Sequence, residues 1–311
     1  MPSDFPSITW DNTLVTNAQE LIKLALAEDL ADGCDWTTAV TVGPDRTGEA
    51  AVVARQVGVA AGIEIGPLVL SQFDETVTWK SLVNDGDSIV PGQAVATMKG
   101  PAAALLTAER TVLNFLGRLA GIASLTRQYV EAVAGTGVDV YDTRKTTPGW
   151  RRLEKYAVAC GGGHNHRLGL SEAVLIKDNH LALSDQQGLT PADAVARARR
   201  QLADRLQGRA AEMVIEIEVD TLDQLQQVLP AHPDVVLLDN MSLDQLRQAV
   251  SIRDAAAAAS PEPATPIVLE ASGGVNLETI GSIAQTGIDR ISVGALTHSA
   301  ASLDLGLDWS T

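Results

Sequence analysis

Residues 213–239, MVIEIEVDTLDQLQQVLPAHPDVVLLD, decide the fold class of this chain. Two short apolar runs, residues 213–219 and 234–239, flank a segment, residues 221–229, in which apolar residues recur at helical spacing. Uniformly apolar strands that alternate with helices are typical of a parallel sheet covered on both faces. This stretch therefore predicts one strand–helix–strand unit of an α/β fold.

The same rhythm extends on both sides of this unit. Further strands are predicted at 138–142, 173–177, 266–270 and 289–293, and further helices at 191–206, 242–253 and 276–286. Six or seven such units favour a barrel over a short open sheet. The alanine-rich stretch 255–266 predicts a surface loop without a functional role.

The part of the chain before residue 135 has a different pattern. Residues 18–30 and 102–134 predict helices, with Gly121 as a possible break in the second, and residues 48–98 contain short β-like runs. Residues 84–100, NDGDSIVPGQAVATMKG, predict a β-hairpin around a Pro-Gly turn. This hairpin is similar to the one in biotin or lipoyl carriers, which are modified at a lysine in the position of Lys99. Such carriers have more residues between the turn and the Met-Lys pair, so a plain hairpin is favoured over a carrier.

Composition excludes several classes of protein. The 311 residues carry a net charge of −16, which argues against nucleic acid or an anionic membrane as partner. No apolar run reaches the ~18 residues of a membrane span, and the first residues lack the pattern of a signal peptide. Two cysteines cannot form a disulfide framework, so a cytoplasmic location is expected. For Cys160, a buried inert thiol is favoured over a nucleophile.

One window of this acidic chain is basic. Residues 142–180 carry a net charge of +3, whereas the rest of the chain carries −19. A cationic region in an anionic protein suggests a pocket for a small polyanion. Within the window, a helix that simply exposes Arg151, Arg152 and Lys155 to water is as plausible as a functional one. The cations beside strands or glycine turns fit a binding role better: Arg144, Lys145, Arg167 and Lys177.

The predicted strand ends carry charge in a definite order. In a β/α barrel the site forms at the carboxyl ends of the strands. The first strands are followed by Thr143 and by the cations Arg144, Lys145 and Lys177, and the middle strands are followed by the acids Glu218 and Asp239. Basic side chains bind carboxylates or phosphates, and carboxylates bind Mg²⁺ or sugar hydroxyls. The sequence thus predicts a site that holds both a polyanion and a divalent metal.

Two glycine turns near the end of the chain predict a phosphate site. Ser272-Gly273-Gly274 and Val293-Gly294-Ala295 each precede a predicted helix and belong to successive units. Adjacent loops of this kind in the last units of a barrel often bind a phosphate group.

Two other polar groups allow more than one interpretation. His164 and His166 form a His-x-His pair, but the other histidines do not fit a zinc site, so His166 is expected to donate to an anion. Glu109 and Arg110 lie inside an apolar helix, either as a structural ion pair or as groups offered to another domain or subunit.

Long motifs give the chain a family resemblance. It resembles the quinolinate phosphoribosyltransferases from about residue 18 to residue 308, through the motifs LALAEDL, AERTVLNFL, DTRKTTPG, GGGHNHRLGL, LIKDNH, EIEVD, LLDNM, LEASGG and VGALTHS. The resemblance implies an α/β protein with an N-terminal α/β sandwich, residues 1–134, and an irregular, open β/α barrel, residues 135–296. The tail, residues 297–311, is expected to pack back on the first domain.

The resemblance also implies an activity and a set of ligands. The implied substrates are quinolinate and phosphoribosyl pyrophosphate, with Mg²⁺ as cofactor. The implied products are nicotinate mononucleotide, pyrophosphate and CO₂. The resemblance further implies a homodimer in which Arg110 reaches the neighbouring site. The implied quinolinate ligands are Arg110, Thr143, Arg144, Lys145, His166, Arg167 and Lys177. Glu218 and Asp239 would bind ribose and metal and, with Lys145 and Lys177, carry the catalysis; residues 272–274 and 293–295 would bind the 5′-phosphate. The nearest rivals act on another acid such as nicotinate, or belong to the context of molybdate transport.

Overall fold

The computed structural model describes residues 4–31, 33–184, 188–206, 210–259 and 266–310. Within these ranges the helices are α1 Asn12–Leu30, α2 Trp36–Thr41, α3 Ile65–Leu70, α4 Ala102–Ala132, α5 Arg151–Cys160, α6 Asp178–Ala182, α7 Pro191–Leu206, α8 Leu222–Val228, α9 Leu243–Ala259, α10 Ile280–Ala284 and α11 Ala295–His298. The strands are β1 Thr47–Ala54, β2 Gly58–Val59, β3 Thr78–Ser81, β4 Ser88–Ile89, β5 Ala94–Pro101, β6 Asp139–Tyr141, β7 Ala173–Ile176, β8 Val214–Val219, β9 Val235–Asp239, β10 Val268–Ser272, β11 Arg290–Ser292 and β12 Leu305–Trp309.

The chain divides into two compact units. The first, here the sandwich unit, comprises residues 7–128, 145–163 and 296–311, and the second, the barrel unit, comprises residues 4–6, 129–144 and 164–295 of the described chain. Residues 145–163 therefore group with the sandwich unit, although the predicted boundary placed them in the barrel. The physical reason is Glu154 of α5, which is fully buried and pairs with Arg118 of α4 at 2.6 Å.

The barrel unit contains the six-stranded sheet that the alternating pattern predicted. Its order is β6-β11-β10-β9-β8-β7, and each recorded pairing is parallel. The consecutive strands β6 and β7 lie at opposite ends of this order, as in a barrel that stays open between them. The fold is thus α/β, with an open β/α barrel.

Most strand and helix limits of the barrel unit agree with the predictions to within a few residues. Strand β10 begins at Val268, two residues late, so Glu270 lies inside the strand instead of at its end. Helix α9 continues to Ala259, which makes residues 255–259 helical and not a loop. Residues 260–265 of that predicted loop lie outside the described residues.

The sandwich unit is built on a four-stranded antiparallel sheet of order β12-β1-β5-β3. Strand β12 pairs with β1, with Trp309 opposite Ala50, so the tail adds an edge strand to this sheet. The predicted hairpin of residues 84–100 is wrong in its pairing, since β4 pairs with β2 and β5 pairs with β1 and β3. Lys99 lies inside β5, 3.3 Å from Glu49, and not at a hairpin tip, which counts against the carrier alternative.

Helix α4 runs without a break through Gly121, contrary to the prediction. A Cβ atom at that position would overlap the carbonyl oxygen of Ala301, so the glycine permits a close approach of two chain segments. Helix α1 begins at Asn12, earlier than predicted, because Asp11 caps it with a bond from the Leu14 N–H. Helix α5 is not a solvated basic helix, since Lys155 is fully buried.

Candidate active site

The carboxyl edge of the sheet brings predicted cations and acids together. Lys177 follows β7 and its ammonium group contacts the carboxylate of Glu218 on the neighbouring strand β8. Asp239 and Ser272, the last residues of β9 and β10, lie opposite each other in register. Parallel neighbouring strands end on the same side, so these four side chains share one edge.

Arg144 and Arg167 form a second feature of this region. Burial and then the charge of Arg144 lower the pKa of the Arg167 guanidinium. Arg167 is 8% exposed and donates to the Ala173 carbonyl, yet the Nε atoms of both arginines are buried without a hydrogen-bond partner among the described residues. Two cations with unused donors favour an anion with more than one negative charge.

A buried carboxylate fixes the loop that carries Arg167. Asp142 is fully buried, and its two oxygens accept bonds from the Asn165 side-chain amide at 2.7 Å and the His166 N–H at 2.8 Å. The His164 N–H in turn donates to the Val140 carbonyl at 2.8 Å. The loop from His164 to Arg167 is therefore held against β6 by backbone and side-chain bonds.

Both ring nitrogens of His166, which was expected to donate to an anion, contact neighbouring protein groups. Its ring is 6% exposed, Nε2 lies 2.8 Å from Glu216, and Nδ1 accepts the Arg167 N–H at 2.9 Å. Burial opposes the charged ring, but Glu216 and Glu270 raise the pKa of His166. The Arg167 N–H at Nδ1 opposes protonation of that nitrogen, so the geometry favours a neutral ring with its proton on Nε2.

The sequence analysis missed a buried charge cluster beneath this edge, which we call the inner cluster: His166, Glu216, Glu270 and Arg290. Arg290 Nε lies 2.5 Å from Glu270, and its Nη2 lies 3.9 Å from Glu216. Burial alone would raise the pKa of Glu216, but His166 and Arg290 hold it below its usual range. A signal was present, because Glu216 and Glu218 alternate within one strand and so project from the same face.

The inner cluster has the ligand types of a metal site, since ligand atoms of His166, Glu216 and Glu270 lie within 4.8 Å of one another. Arg290 already supplies a cation to both carboxylates, with its side chain 6% exposed. We therefore interpret the cluster as structural. His164, the other half of the His-x-His pair, lies instead 3.6 Å from Asp139, so the two histidines face different carboxylates.

The glycine turns lie on neighbouring strands, because β10 and β11 pair. Gly273 and Gly274 have positive φ angles of 99° and 60°, and a Cβ at Gly273 would overlap the Asn240 side chain. Helix α10 begins only at Ile280, so the predicted helix start at Asn276 is wrong.

In the second turn, the Val293 N–H donates to the Tyr141 carbonyl at 2.8 Å and is engaged within the sheet. Gly294 and Ala295, both partly exposed, follow it.

Three further predicted site residues are Thr143, Lys145 and Arg110. Thr143 is partly exposed between β6 and Arg144. Lys145 and Arg110 belong to the sandwich unit, where both side chains are exposed. The Lys145 carbonyl accepts a bond from Thr297 at 2.7 Å, and Arg110 projects from α4.

Comparison with known proteins decides the family. Residues 35–120 match the N-terminal domain of quinolinate phosphoribosyl transferase, and residues 122–308 match its C-terminal domain. The chain belongs to the quinolinate phosphoribosyltransferase family. The strand-end residues described above fall in the second of these matched domains.

Individual family members agree in both sequence and fold. The nicotinate-nucleotide pyrophosphorylase [carboxylating] of Mycobacterium leprae is 42% identical over 94% of this chain and 96% of its own length. A probable enzyme of the same name from Bacillus subtilis is 39% identical over 93% of this chain and 92% of its own length. The structure of the nicotinate-nucleotide pyrophosphorylase from Francisella tularensis covers 99% of this chain and 100% of its own, with a TM-score of 0.85 and 34% identity.

No helix among the described residues has the length and apolarity to span a membrane.

Proposed function

We propose that this chain transfers the phosphoribosyl group of phosphoribosyl pyrophosphate to quinolinate with loss of CO₂, the reaction for which its family is named. The products are nicotinate mononucleotide, pyrophosphate and CO₂, and the reaction serves NAD biosynthesis. The support is family membership over both domains, together with a strand-end edge that carries cations and acids. We also infer a cytoplasmic location, in keeping with the composition.

The guanidinium groups of Arg144 and Arg167 carry the proposal. Each has a buried Nε without a hydrogen-bond partner among the described residues, and an anion would supply the missing acceptors. Quinolinate has two neighbouring carboxylates, which match two guanidinium groups better than the single carboxylate of nicotinate does. We assign the quinolinate dianion to Arg144 and Arg167, with Lys177, Lys145 and Thr143 as further ligands.

His166 has a different part from the one expected. Since its two ring nitrogens face Arg167 and Glu216, it positions the backbone of Arg167 and does not donate to quinolinate. Arg110 is assigned to the neighbouring site of a homodimer, where its exposed side chain would add a further cation.

The bond changes follow from the substrates. The bond from the anomeric carbon to pyrophosphate breaks, and the ring nitrogen of quinolinate supplies the electron pair of the new bond. Positive charge develops on the ribose as pyrophosphate leaves, and the carboxylate of Glu218, 11% exposed, would stabilise it.

Decarboxylation then uses the charge of the alkylated ring. The bond between the ring and the 2-carboxylate breaks, CO₂ leaves, and the electron pair stays on the ring carbon, which takes up a proton. The protein contributes mainly positioning and electrostatics.

Glu218 and Asp239 would hold Mg²⁺. Both are hard oxygen donors on neighbouring strands, and the ammonium group of Lys177 against Glu218 shows that this carboxylate attracts a cation. The residues therefore fit the metal, which would neutralise charge on the departing pyrophosphate. The same two carboxylates would bind ribose hydroxyls.

The glycine turns would bind the 5′-phosphate. Gly273 and Gly274 have no side chains to block an approach, and Ser272 adds a hydroxyl. In the second turn the Val293 N–H already donates to the Tyr141 carbonyl. Gly294 and Ala295 are therefore the better candidates for binding the 5′-phosphate.

Release of CO₂ tests the proposal. Purified protein with carboxyl-labelled quinolinate, phosphoribosyl pyrophosphate and Mg²⁺ should release labelled CO₂ and form nicotinate mononucleotide, and omission of any one component should stop both. Nicotinate in place of quinolinate is the control for the nearest rival. Turnover of nicotinate without turnover of quinolinate by folded protein would overturn the assignment.

A further inference from the structure

Residues 4–6, which precede α1, belong to the barrel unit. Phe5 is 9% exposed and packs in a cluster of buried residues with Tyr141, Ala173, Val214 and Val235. The last three are the first residues of β7, β8 and β9. Phe5 therefore lies at the amino-terminal end of the parallel strands, opposite to the edge that carries Lys177 and Asp239.

The same side chain covers the inner cluster. The ring of Phe5 lies 4.7 Å from the ring of His166, at 33°, and the Arg290 guanidinium lies 5.5 Å from the Phe5 centroid. An aromatic face beside a buried guanidinium stabilises that cation without adding another charge.

Asp4 adds polar contacts to this packing. Its carboxylate accepts a bond from the Tyr141 hydroxyl at 2.6 Å and lies 3.6 Å from Arg290 Nη1. The Tyr141 ring lies 4.6 Å from the Arg290 guanidinium, so Asp4, Tyr141 and Phe5 surround one cation.

We propose that Asp4 and Phe5, here called the plug pair, close the amino-terminal end of the barrel and position Arg167 through the inner cluster. The chain of contacts runs from Phe5 to the His166 ring, and from His166 Nδ1 to the N–H of Arg167. Asp4 and Phe5 are positioning residues, because neither lies at the edge where the substrate is assigned.

This inference rests on the proposed use of Arg167 as a quinolinate ligand. Loss of the Phe5 ring would let the His166 ring and the Arg167 backbone move, while the residues assigned to phosphate and ribose stay in place. The plug pair should therefore affect quinolinate binding more than it affects binding of the phosphoribosyl donor.

Steady-state kinetics test this selectivity. Phe5→Ala should raise KM for quinolinate about tenfold and leave KM for phosphoribosyl pyrophosphate and kcat within about twofold. Ser7→Ala is the matched control, because that exposed side chain lies two residues further along. An unchanged quinolinate KM, or an equal rise in both KM values, would overturn the inference.

A second measurement does not depend on activity. The Nε2 proton of His166, assigned by NMR with a His166→Gln variant, should exchange with water about tenfold faster in Phe5→Ala than in the unsubstituted protein. Equal exchange rates would contradict the plug. This readout separates the two proposals, since it stands even if quinolinate is not the substrate.

Milder variants serve if Phe5→Ala does not fold. Phe5→Leu keeps the apolar volume without a ring, and Asp4→Asn removes the charge that faces Arg290. Each should raise quinolinate KM about threefold with kcat retained. If both behave like Ser7→Ala, the plug pair has no positioning role.

Discussion

At the scale of single residues, Arg144 and Arg167 dominate the candidate site. Arg167 is anchored by the Ala173 carbonyl and by the loop that Asp142 holds, whereas Arg144 is partly exposed. The buried arginine is thus fixed, and the exposed one is the more accessible to a ligand.

Arg144→Ala should weaken quinolinate binding by about 2 kcal/mol or more, because a desolvated carboxylate would lose its charged partner. Isothermal titration calorimetry measures this loss directly. The matched control is Arg247→Ala, an exposed arginine on α9 that pairs only with Asp244 in the recorded ion pairs. Unchanged affinity in the Arg144 variant would count against the assignment of the dianion to this pair.

Cys160 illustrates how burial decides the chemistry of a residue. Burial, then the charge of Asp85, raises the pKa of Cys160 to about 12. The folded protein therefore favours the neutral thiol, and this contribution to stability is present below the ordinary value of 9.0 and is lost as the pH rises toward 12.

Cys34 and Cys160 should differ in their reaction with an alkylating reagent. At about pH 8, iodoacetamide should modify the exposed Cys34 and leave Cys160 unmodified until the protein unfolds, since the thiolate is the reactive form. Peptide mass spectrometry of folded and urea-unfolded protein distinguishes the sites. Equal modification of both cysteines in the folded protein would contradict an inert Cys160.

At the scale of elements, helix α4 shows why a glycine inside a helix need not be a break. Gly121 lies in the middle of the helix, where the segment that contains Ala301 crosses at backbone distance. The space that the missing side chain leaves is filled by another part of the chain.

Gly121→Ala should destabilise the protein by about 1–3 kcal/mol, because overlap with the Ala301 carbonyl outweighs the higher helix propensity of alanine. Urea unfolding measures the change. Gly43→Ala is the control, since an added Cβ there meets nothing within 4 Å, and its effect should stay within about 0.5 kcal/mol. Equal stability of the two variants would show that α4 can shift away from residue 301.

At the scale of the whole molecule, the proposal assigns Arg110 to the site of a second copy of the chain. Arg110 is exposed on α4. In the proposed homodimer this side chain would add a cation to the neighbouring site.

Mixing two inactive variants tests the shared residue. Arg110→Ala and Glu218→Ala should each lose most activity, and a refolded equimolar mixture should recover about a quarter of the unsubstituted activity, because half of the dimers contain one intact site. If Arg110 served its own subunit, no mixed dimer would contain an intact site. Activity equal to that of the separate variants would therefore contradict a shared site.

Much of this architecture could be predicted from the sequence, for a physical reason. Periodicity and propensity are local properties, so the alternating strands and helices after residue 138 are visible in the sequence, and the ends of β7, β8 and β9 follow from them. The carboxyl ends of parallel strands lie at one edge of a sheet. The sequence therefore also placed Lys177 and Glu218 in one predicted site, and the structure brings the two side chains into contact.

The tertiary structure alone decided which distant groups meet. Local pattern does not encode partners, so the pairing of Glu270 with Arg290, the inward turn of His166 and the pairing of β4 with β2 were not predictable. The same holds for Phe5, whose polar surroundings in the sequence give no sign of burial. Sequence determined the elements and the charges at their ends, whereas long-range packing decided which of those charges face a ligand and which neutralise one another.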